Sequence, residues 1–345
     1  MKTSTILLIM GGAVLAGLTL STLEWSGHAT SQSGYRGTGQ VHIVSTASRE
    51  RMGALNQMPP PQDKADKTGK KASQVYQNVQ VLKDLDEGEF NRLMAAITEW
   101  VSPDQGCAYC HGDSGNFAED KLYTKTVARR MLQMTQDLNA NYKPHVQETG
   151  VNCYTCHRGN PVPKYIWFKD PGQGIGLNGR STGRDAPSAS VGTTSLPYDP
   201  FTPYLEQDNN IRVASTEALT NPDGNKTSIQ RTEWTYALMM HMSTSLGVNC
   251  TYCHNTRSFQ NWEQSSPQRV TAWHGIRMVR DMNQRYLVPL AGTLPKDRLG
   301  PAGDGPKLNC ATCHQGAYKP LYGAPMVKDY PELTALAAPV DKPKP

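Results

Sequence analysis

The sequence predicts a mainly α-helical protein built from two similar halves, with one helix in a membrane at the N-terminus. Three observations lead to this fold class. The pattern Cys-x-x-Cys-His occurs four times in 345 residues. An amphipathic helical pattern precedes each occurrence, and a long stretch rich in Gly, Pro, Ser and Thr separates the first pair from the second. An uncharged apolar run follows Lys2.

The four motifs contain all eight cysteines of the chain. They are Cys107, Cys110 and His111; Cys153, Cys156 and His157; Cys250, Cys253 and His254; and Cys310, Cys313 and His314. Two thiols at this spacing can form thioethers with the two vinyl groups of one haem, and the adjacent imidazole can bind the iron. The sequence therefore predicts four covalently bound haem c groups.

Zinc sites and disulfides are the alternatives for such cysteines. A zinc site normally pairs two Cys-x-x-Cys knuckles and does not need a histidine after each one. A disulfide framework has no reason to place histidine there either. The invariable histidine favours haem attachment over both.

Each motif follows a predicted amphipathic helix. Asp86 with Glu89 resembles a capping box that begins a helix running to Val101. The other three patterns are 121–141, 232–246 with Gly247 as C-cap, and a helix that begins at Ser266-Pro267. The predicted fold class is a mainly α multihaem cytochrome c, with two dihaem halves made of repeated helix-turn-CxxCH units and long irregular connections.

The second axial ligand of each iron should come from these helices. Only five histidines lie outside the motifs: His28, His42, His145, His241 and His274. Methionine is more abundant, with 13, and occurs on every one of the helices. His/Met ligation with a raised reduction potential is therefore favoured for most of the haems.

Internal superposition narrows the choice and leaves two interpretations open. Units one and three match Met94 to Met239. Units two and four, superposed on Asp137/Asp281 and Tyr142/Tyr286, match Met134 to Met278 but Met131 to Gly275. Either Met134 and Met278 are ligands, or Met131 is a ligand and the fourth iron takes one from elsewhere, for which His145 is available.

Composition and charge do not indicate a nucleic-acid partner. Hydrophobic residues make up only 37% of the chain, so four porphyrins would supply much of the apolar core. The formal charge of +5 becomes −3 once each of four haems brings two propionates.

The N-terminal run Ile6 to Leu23 contains 18 uncharged residues and is either a membrane span or an export signal; a retained span is favoured. The predicted organisation is a membrane anchor or signal (1–28), an extended tether (29–72), a first dihaem half (73–160), an irregular connecting segment (161–227), a second dihaem half (228–330) and a C-terminal tail (331–345).

The chain resembles the tetrahaem cytochrome subunit of the photosynthetic reaction centre of purple bacteria. The resemblance runs from about Val75 to the last motif. It includes Gly88-Glu-Phe-Asn-Arg-Leu-Met94, Gly150-Val-Asn-Cys-Tyr-Thr-Cys-His-Arg-Gly159 and Leu196-Pro-Tyr-Asp-Pro-Phe-Thr-Pro203. It implies three His/Met haems and one bis-His haem, and so selects the second interpretation: Met94/His111, Met131/His157, Met239/His254 and His145/His314.

The resemblance also implies the function. The expected role is a periplasmic electron relay, not an enzyme, that takes electrons from a soluble cytochrome c or high-potential iron-sulfur protein. It would re-reduce the bacteriochlorophyll special pair held by the reaction-centre L and M subunits, with the motif-three haem nearest the pair, then four, two and one. Tyr198 and Tyr204 are candidates for the aromatic residue nearest the pigments. The alternative function is a membrane-anchored multihaem quinol dehydrogenase.

One departure from the family concerns the anchor. Many members carry a lipid-modified cysteine after the signal, and this chain has no cysteine outside the haem motifs. A retained helix at Ile6 to Leu23 would replace the lipid and hold the haem domain on the periplasmic face of the photosynthetic inner membrane.

Other charged side chains are weaker candidates. His241 and His274 could bind haem propionates or lie at the helix surface. Four arginines on the helices could offset propionates or be solvated: Arg129, Arg130, Arg269 and Arg277. Five acidic residues around motif one are either ordinary surface or a docking patch for a basic donor: Glu99, Asp104, Asp113, Glu119 and Asp120.

Overall fold

The computed structural model of the chain describes residues 3–22, 27–33, 40–169, 196–197, 199–213 and 229–335. The protein is mainly helical with irregular connections, which confirms this part of the predicted fold class. Of the predicted connecting segment 161–227, the description covers 161–169, 196–197 and 199–213.

The α-helices, in chain order, are α1 (Thr3–Thr22), α2 (Thr46–Leu55), α3 (Ala72–Val75), α4 (Glu87–Val101), α5 (Ala108–His111), α6 (Tyr123–Asn141), α7 (Lys143–Val146), α8 (Cys153–His157), α9 (Ile229–Leu246), α10 (Pro267–Met282) and α11 (Cys310–His314). The strands are β1 (His28–Ser33), β2 (Gln40–Ser45), β3 (Ile166–Trp167) and β4 (Lys307–Leu308). Short π-helices span Thr202–Glu206 and Asn283–Leu287, and 3₁₀ turns span Cys250–Tyr252, Val288–Gly292, Lys296–Arg298, Pro320–Gly323 and Pro331–Leu333.

Helix α1 covers the apolar run for which the sequence predicts a membrane span. Among the residues whose placement the structure describes, no helix is long and apolar enough to cross a bilayer.

The predicted tether contains regular structure. Strands β1 and β2 pair antiparallel, with His28 opposite Ser45 and Ser33 opposite Gln40. The side chain of Ser45 then accepts a hydrogen bond from the Ser48 amide and caps α2. The sequence gives only a weak signal for this hairpin, because β1 is polar and an isolated pair of strands is too small to show a repeated pattern.

Residues 56–63 then lie across both halves of the protein. The Asn56 side chain donates to the Gln315 carbonyl over 3.4 Å. The Gln62 amide donates to the Tyr330 hydroxyl at 2.9 Å, and Arg92 Nε donates to the Asp63 carbonyl at 2.9 Å. This part of the segment is attached to the body of the protein by hydrogen bonds.

Helix boundaries follow the sequence signals closely. Asp86 is the N-cap of α4, but its carboxylate accepts from the Gly88 amide, and Glu89 lies 3.4 Å from Arg92 instead of completing a capping box. Helix α9 ends before Gly247, whose φ of 63° is a left-handed conformation that glycine adopts without strain. A Cβ there would lie 2.3 Å from the Gly316 carbonyl oxygen, so the position also requires close approach of two backbones.

Two hydrophobic clusters form the core. The larger one joins α6 of the first half to α9 and α10 of the second, through Leu138, Leu238 and Ile276 among others. The smaller one packs α4 against the C-terminal segment, where Leu93 and Leu333 are fully buried. Leu333, near the start of the predicted tail, is therefore part of this core.

Two tyrosine–aspartate hydrogen bonds link the two halves crosswise. Each aspartate lies in α6 or α10, whereas Tyr142 directly follows α6 and Tyr286 lies in the π-helix Asn283–Leu287 that follows α10. The Tyr142 hydroxyl donates to the Asp281 carboxylate at 3.0 Å, and the Tyr286 hydroxyl donates to the Asp137 carboxylate at 2.9 Å. Arg285 also lies 2.7 Å from Asp137. The residues that sequence superposition matched as equivalents thus bond to each other's partners, which is the arrangement expected of two related units facing each other.

Candidate haem-binding sites

Motifs two and four share one local structure. Asn152 and Asn309 precede the first cysteine, and each side chain accepts from the amide three residues later, at Thr155 and Thr312. Each threonine hydroxyl in turn accepts a hydrogen bond from the backbone amide of the asparagine, at 3.0 Å. These reciprocal capping boxes begin the short helices α8 and α11, which hold both cysteines and the histidine on one turn.

Motifs one and three are built differently. Asn249 caps a 3₁₀ turn at motif three by accepting from the Thr251 amide at 3.1 Å. Motif one instead follows Gly106, whose φ is 62°. In both motifs a phenylalanine packs on the histidine ring. The ring centroids of Phe117 and His111 are 4.8 Å apart, and those of Phe259 and His254 are 5.2 Å apart.

All four motif histidines direct Nδ1 at a backbone carbonyl. The acceptors are the oxygens of Phe117 for His111 (3.3 Å), Asn160 for His157 (2.9 Å), Phe259 for His254 (2.8 Å) and Ala317 for His314 (2.9 Å). A carbonyl only accepts, so Nδ1 carries the proton and Nε2 keeps the lone pair that binds a metal. These acceptors cannot be predicted from the sequence, because a backbone carbonyl is common to every residue type.

Burial favours the neutral imidazole that a metal needs. Desolvation lowers the pKa of His111, His157 and His254. For His314 burial, with His145 adding to the effect, lowers the pKa to about 4. These rings are therefore neutral near pH 7, in the protonation state of a metal ligand.

His145 and His314 come together although they are 169 positions apart in the chain. Their ring centroids are 6.1 Å apart, with the planes at 69°. Metal–imidazole bonds are about 2.0–2.1 Å long, so a metal between two rings separates their centroids by roughly 6 Å. The His145 Nδ1 lies 2.9 Å from the Thr271 carbonyl oxygen, which again leaves the Nε2 lone pair available to a metal. The spacing and the donor atoms fit a bis-His iron.

Gly275 explains why the superposition fails at this position. A Cβ on Gly275 would lie 2.5 Å from His145 Cε1 and 2.8 Å from its Nδ1. Gly275 corresponds to Met131 of the other half. The His145 ring occupies the space that a side chain at position 275 would need. A methionine at position 275 is sterically incompatible with this placement of His145.

The first two motifs open on one cavity of about 950 Å³. Its lining includes Met94, His111, Met131 and His157, together with the four cysteines Cys107, Cys110, Cys153 and Cys156. The cavity therefore brings together every ligand predicted for haems one and two. Its volume is at the upper end of the range of about 300–1,000 Å³ for ligand sites, which fits more than a small ligand.

The competing methionines lie deeper in the core. Met134 and Met278 are 6% and 7% exposed and belong to the larger hydrophobic cluster. Met131 and Met239 are partly buried and pack against the edge of that cluster. Met134 also contributes to the lining of the cavity.

Motifs two and four lie side by side. The Sγ atoms of Cys156 and Cys313 are 2.9 Å apart, and Gln315 Nε2 lies 3.4 Å from the Cys156 carbonyl oxygen. Groups attached to these two cysteines would be immediate neighbours.

Of the weaker candidates, His241 is buried, not at the surface. It is 5% exposed, packs edge-on against Phe201 at 4.6 Å, and its Nε2 lies 3.1 Å from the Ser245 hydroxyl. His274 is partly buried and packs on Trp273 at 4.8 Å.

The four arginines have protein partners. Arg129 pairs with Asp120 at 2.9 Å. The other three guanidinium groups lie over aromatic rings: Arg130 over Tyr286 (5.3 Å), Arg269 over Trp262 (4.2 Å) and Arg277 over Trp273 (4.6 Å).

The acidic group around motif one is partly neutralised. Glu119 pairs with Lys121 at 2.6 Å, and Asp120 lies 3.0 Å from Lys125 as well as 2.9 Å from Arg129. Glu99 accepts a hydrogen bond from Gln62 at 2.6 Å. Asp104 and Asp113 are exposed. The local field is therefore weaker than five formal charges suggest.

Of the two tyrosines proposed to lie near the pigments, Tyr204 is among the residues that the structure describes. Tyr204 is 1% exposed, and its hydroxyl lies 2.8 Å from the Thr235 hydroxyl, so its ring belongs to the core. Tyr198 lies outside the residues that the structure describes.

Comparison with known proteins gives the same family over most of the chain. The sequence model of the family described as photosynthetic reaction centre cytochrome C subunit matches residues 26–334. The photosynthetic reaction center cytochrome c subunit of Thermochromatium tepidum is 52% identical over 93% of this chain and 78% of its own length. That of Rubrivivax gelatinosus is 52% identical over 93% of this chain and 87% of its own length. That of Roseobacter denitrificans is 46% identical over 78% of this chain and 75% of its own length.

Proposed function

Because this chain belongs to the family of photosynthetic reaction centre cytochrome c subunits, we propose that it passes electrons to the reaction centre through four covalently bound haems. It is an electron-transfer subunit, not an enzyme. The observation that carries the count of four is structural: each Cys-x-x-Cys-His motif has a histidine whose Nδ1 is bonded to a backbone carbonyl and whose Nε2 can bind iron.

Bound haem c supplies one-electron chemistry at its iron. The residues of this chain hold each haem and set its potential. The eight motif cysteines attach the porphyrins, and the motif histidines provide the proximal nitrogen. Met94, Met131 and Met239 give His/Met pairs with His111, His157 and His254, and His145 completes a bis-His pair with His314. Thioether ligands raise the reduction potential relative to a second imidazole, so the bis-His haem is the low-potential member.

The order of the relay follows the resemblance, with motif three nearest the special pair, then four, two and one. The contact between Cys156 and Cys313 supports the middle step, because it makes motifs two and four neighbours. The proposed partners are the L and M subunits with their bacteriochlorophyll pair on one side and a soluble cytochrome c or high-potential iron-sulfur protein on the other.

The proposed location is the periplasmic face of the photosynthetic inner membrane. The uncharged run Ile6 to Leu23 and the lack of a cysteine for lipid attachment support a retained N-terminal helix as the anchor. The names of the relatives favour this relay over a multihaem quinol dehydrogenase.

The test is flash excitation of the native complex purified from the photosynthetic membrane. The complex should contain four haem c per chain by pyridine haemochrome assay and show bacteriochlorophyll bands. After a flash, oxidation of a haem should accompany re-reduction of the pigment pair. Fewer than four haems would contradict the count, and pigment re-reduction without haem oxidation would contradict the relay.

A further inference from the structure

Helix α7, which carries His145, is a single turn of four residues, and one turn is too short to maintain its own conformation. The turn begins at Tyr142, whose carbonyl accepts from the amides of His145 at 2.9 Å and Val146 at 3.0 Å. The position of the His145 ring therefore depends on what holds Tyr142.

The side chain of Tyr142 leaves that turn and reaches helix α10. Its hydroxyl donates to the Asp281 carboxylate at 3.0 Å. The same helix contacts His145 twice, through the Thr271 carbonyl that accepts from Nδ1 at 2.9 Å and through the Gly275 backbone on which the ring lies. The turn is thus attached to α10 both at its beginning and at its histidine.

We infer that Tyr142 is a positioning residue for His145, acting through Asp281 to hold the imidazole at bonding distance from the iron attached at motif four. Thr271 sets the rotation of the ring, and the Tyr142–Asp281 bond sets how far the backbone of α7 stands from α10. This inference rests on the proposed ligation of that iron by His145 and His314.

The related half supplies a matched control. Tyr286, in the π-helix that follows α10, donates to Asp137 of α6 at 2.9 Å, which is the same kind of bond with the two halves exchanged. The residue three positions after Tyr286 is Pro289, where His145 stands after Tyr142. Loss of the Tyr286 hydroxyl removes an equivalent bond without freeing a segment that bears a ligand.

The experiment compares Tyr142→Phe and Tyr286→Phe in the purified holoprotein by low-temperature EPR, redox titration and thermal melting. Both variants should have a lower melting temperature than the wild-type protein. Only Tyr142→Phe should shift one of the four midpoint potentials and alter the low-spin signal of the bis-His iron. Asp281→Asn keeps a carbonyl acceptor and should retain the wild-type signal, whereas Asp281→Ala should reproduce the change seen in Tyr142→Phe.

Equal melting losses with all four haem signals unchanged in both phenylalanine variants would overturn the inference and leave Tyr142 as a link between the halves. If Tyr142→Phe does not assemble, the contrast between Asp281→Ala and Asp281→Asn makes the same decision. His145→Met tests the ligation separately from the positioning by Tyr142. An intact bis-His signal in that variant would refute ligation by His145, whatever Tyr142 does.

Discussion

The imidazole of His145 lies against the bare backbone of Gly275, so closely that a Cβ at position 275 would come within 2.5 Å of its Cε1. A glycine inside a helix costs about 1 kcal/mol relative to alanine. This contact accounts for the cost, because the glycine creates the space for a residue predicted to bind iron. It also accounts for the mismatch of Met131 with Gly275 when the two related helices are superposed.

Gly275→Ala should therefore displace the His145 ring. Alanine strengthens the helix by about 1 kcal/mol, but its methyl group would overlap the imidazole. We expect a shift of one midpoint potential and a changed bis-His signal in EPR. Gly53→Ala is the control, because a Cβ on that helical glycine meets nothing within 4 Å. A Gly275→Ala protein with four wild-type potentials would place His145 away from the iron.

Met131 and Met134 can be separated by paired substitutions. Met131→Leu should remove a thioether ligand and lower the potential of one haem substantially. Met134→Leu exchanges core residues of similar volume, which usually costs less than about 1.5 kcal/mol, and should leave all four potentials unchanged. Redox titration of both variants is the measurement. The opposite pattern would restore the interpretation in which Met134 and Met278 are the ligands.

Donor docking should depend on salt if the exposed acids near motif one guide a basic donor. Replacing Asp104, Asp113 and Glu119 by neutral isosteres should slow bimolecular re-reduction after a flash. The effect should fade as the Debye length falls from about 10 Å at 0.1 M salt to about 3 Å at 1 M. Because Glu119 is already paired with Lys121, the substitutions at Asp104 and Asp113 should account for most of the decrease in the re-reduction rate.

The control for docking is Glu148→Gln, an exposed acid that follows α7 and pairs with Lys143 at 3.3 Å. It should leave the bimolecular rate unchanged. A rate that is flat from low to high salt and indifferent to the triple variant would rule out electrostatic docking at this group and favour apolar contacts.

The N-terminal segment should remain in the mature subunit. The intact mass of the purified chain should equal the full sequence plus four haems, apart from possible removal of Met1. Helix α1, at Thr3–Thr22, would then be present in the complex. A protein that begins near Thr30 would show that the segment is an export signal.

Glu332 should make stability depend on pH. Burial raises its pKa in the folded chain, and its Oε1 is buried without a hydrogen-bond partner. An acid with a raised folded pKa contributes its stability below the unfolded pKa of about 4.3. That contribution is lost as pH rises through the folded value. The wild-type protein should therefore lose stability on this account as pH rises from about 4 toward neutral.

Glu332→Gln should remove this dependence and raise the melting temperature near pH 7. The new amide can also donate to Gln136 Oε1, another buried acceptor without a partner, for a gain of about 1 kcal/mol. Gln136 Nε2 already bonds to the Glu332 carbonyl at 3.1 Å, so the two side chains are neighbours. Thermal melts at several pH values test this, and parallel curves for the two proteins would contradict it.

Much of the fold could be predicted because its signals are local. The helical periodicity before each motif located α4, α6, α9 and α10 within a few residues, and Gly247 marked the end of α9 correctly. The hairpin β1–β2 is not predicted from the sequence, since its pairing depends on two strands meeting and β1 is polar. Leu333 lies in the predicted C-terminal tail but is buried in the core. The sequence does not indicate this, because Leu93 of the same cluster is far away in the chain.

The sequence by itself determined the chemistry of the sites: cysteines and a histidine at adjacent positions need only one helical turn to face one porphyrin, so their spacing is sufficient to predict attachment. Only the tertiary structure decided which distant groups meet. His145 reaches His314 because α7 is held on α10, and the carbonyls that orient the motif histidines are backbone atoms that any residue could supply. Contacts of this kind depend on how helices pack across the two halves, and packing between remote segments leaves no period or motif in the chain.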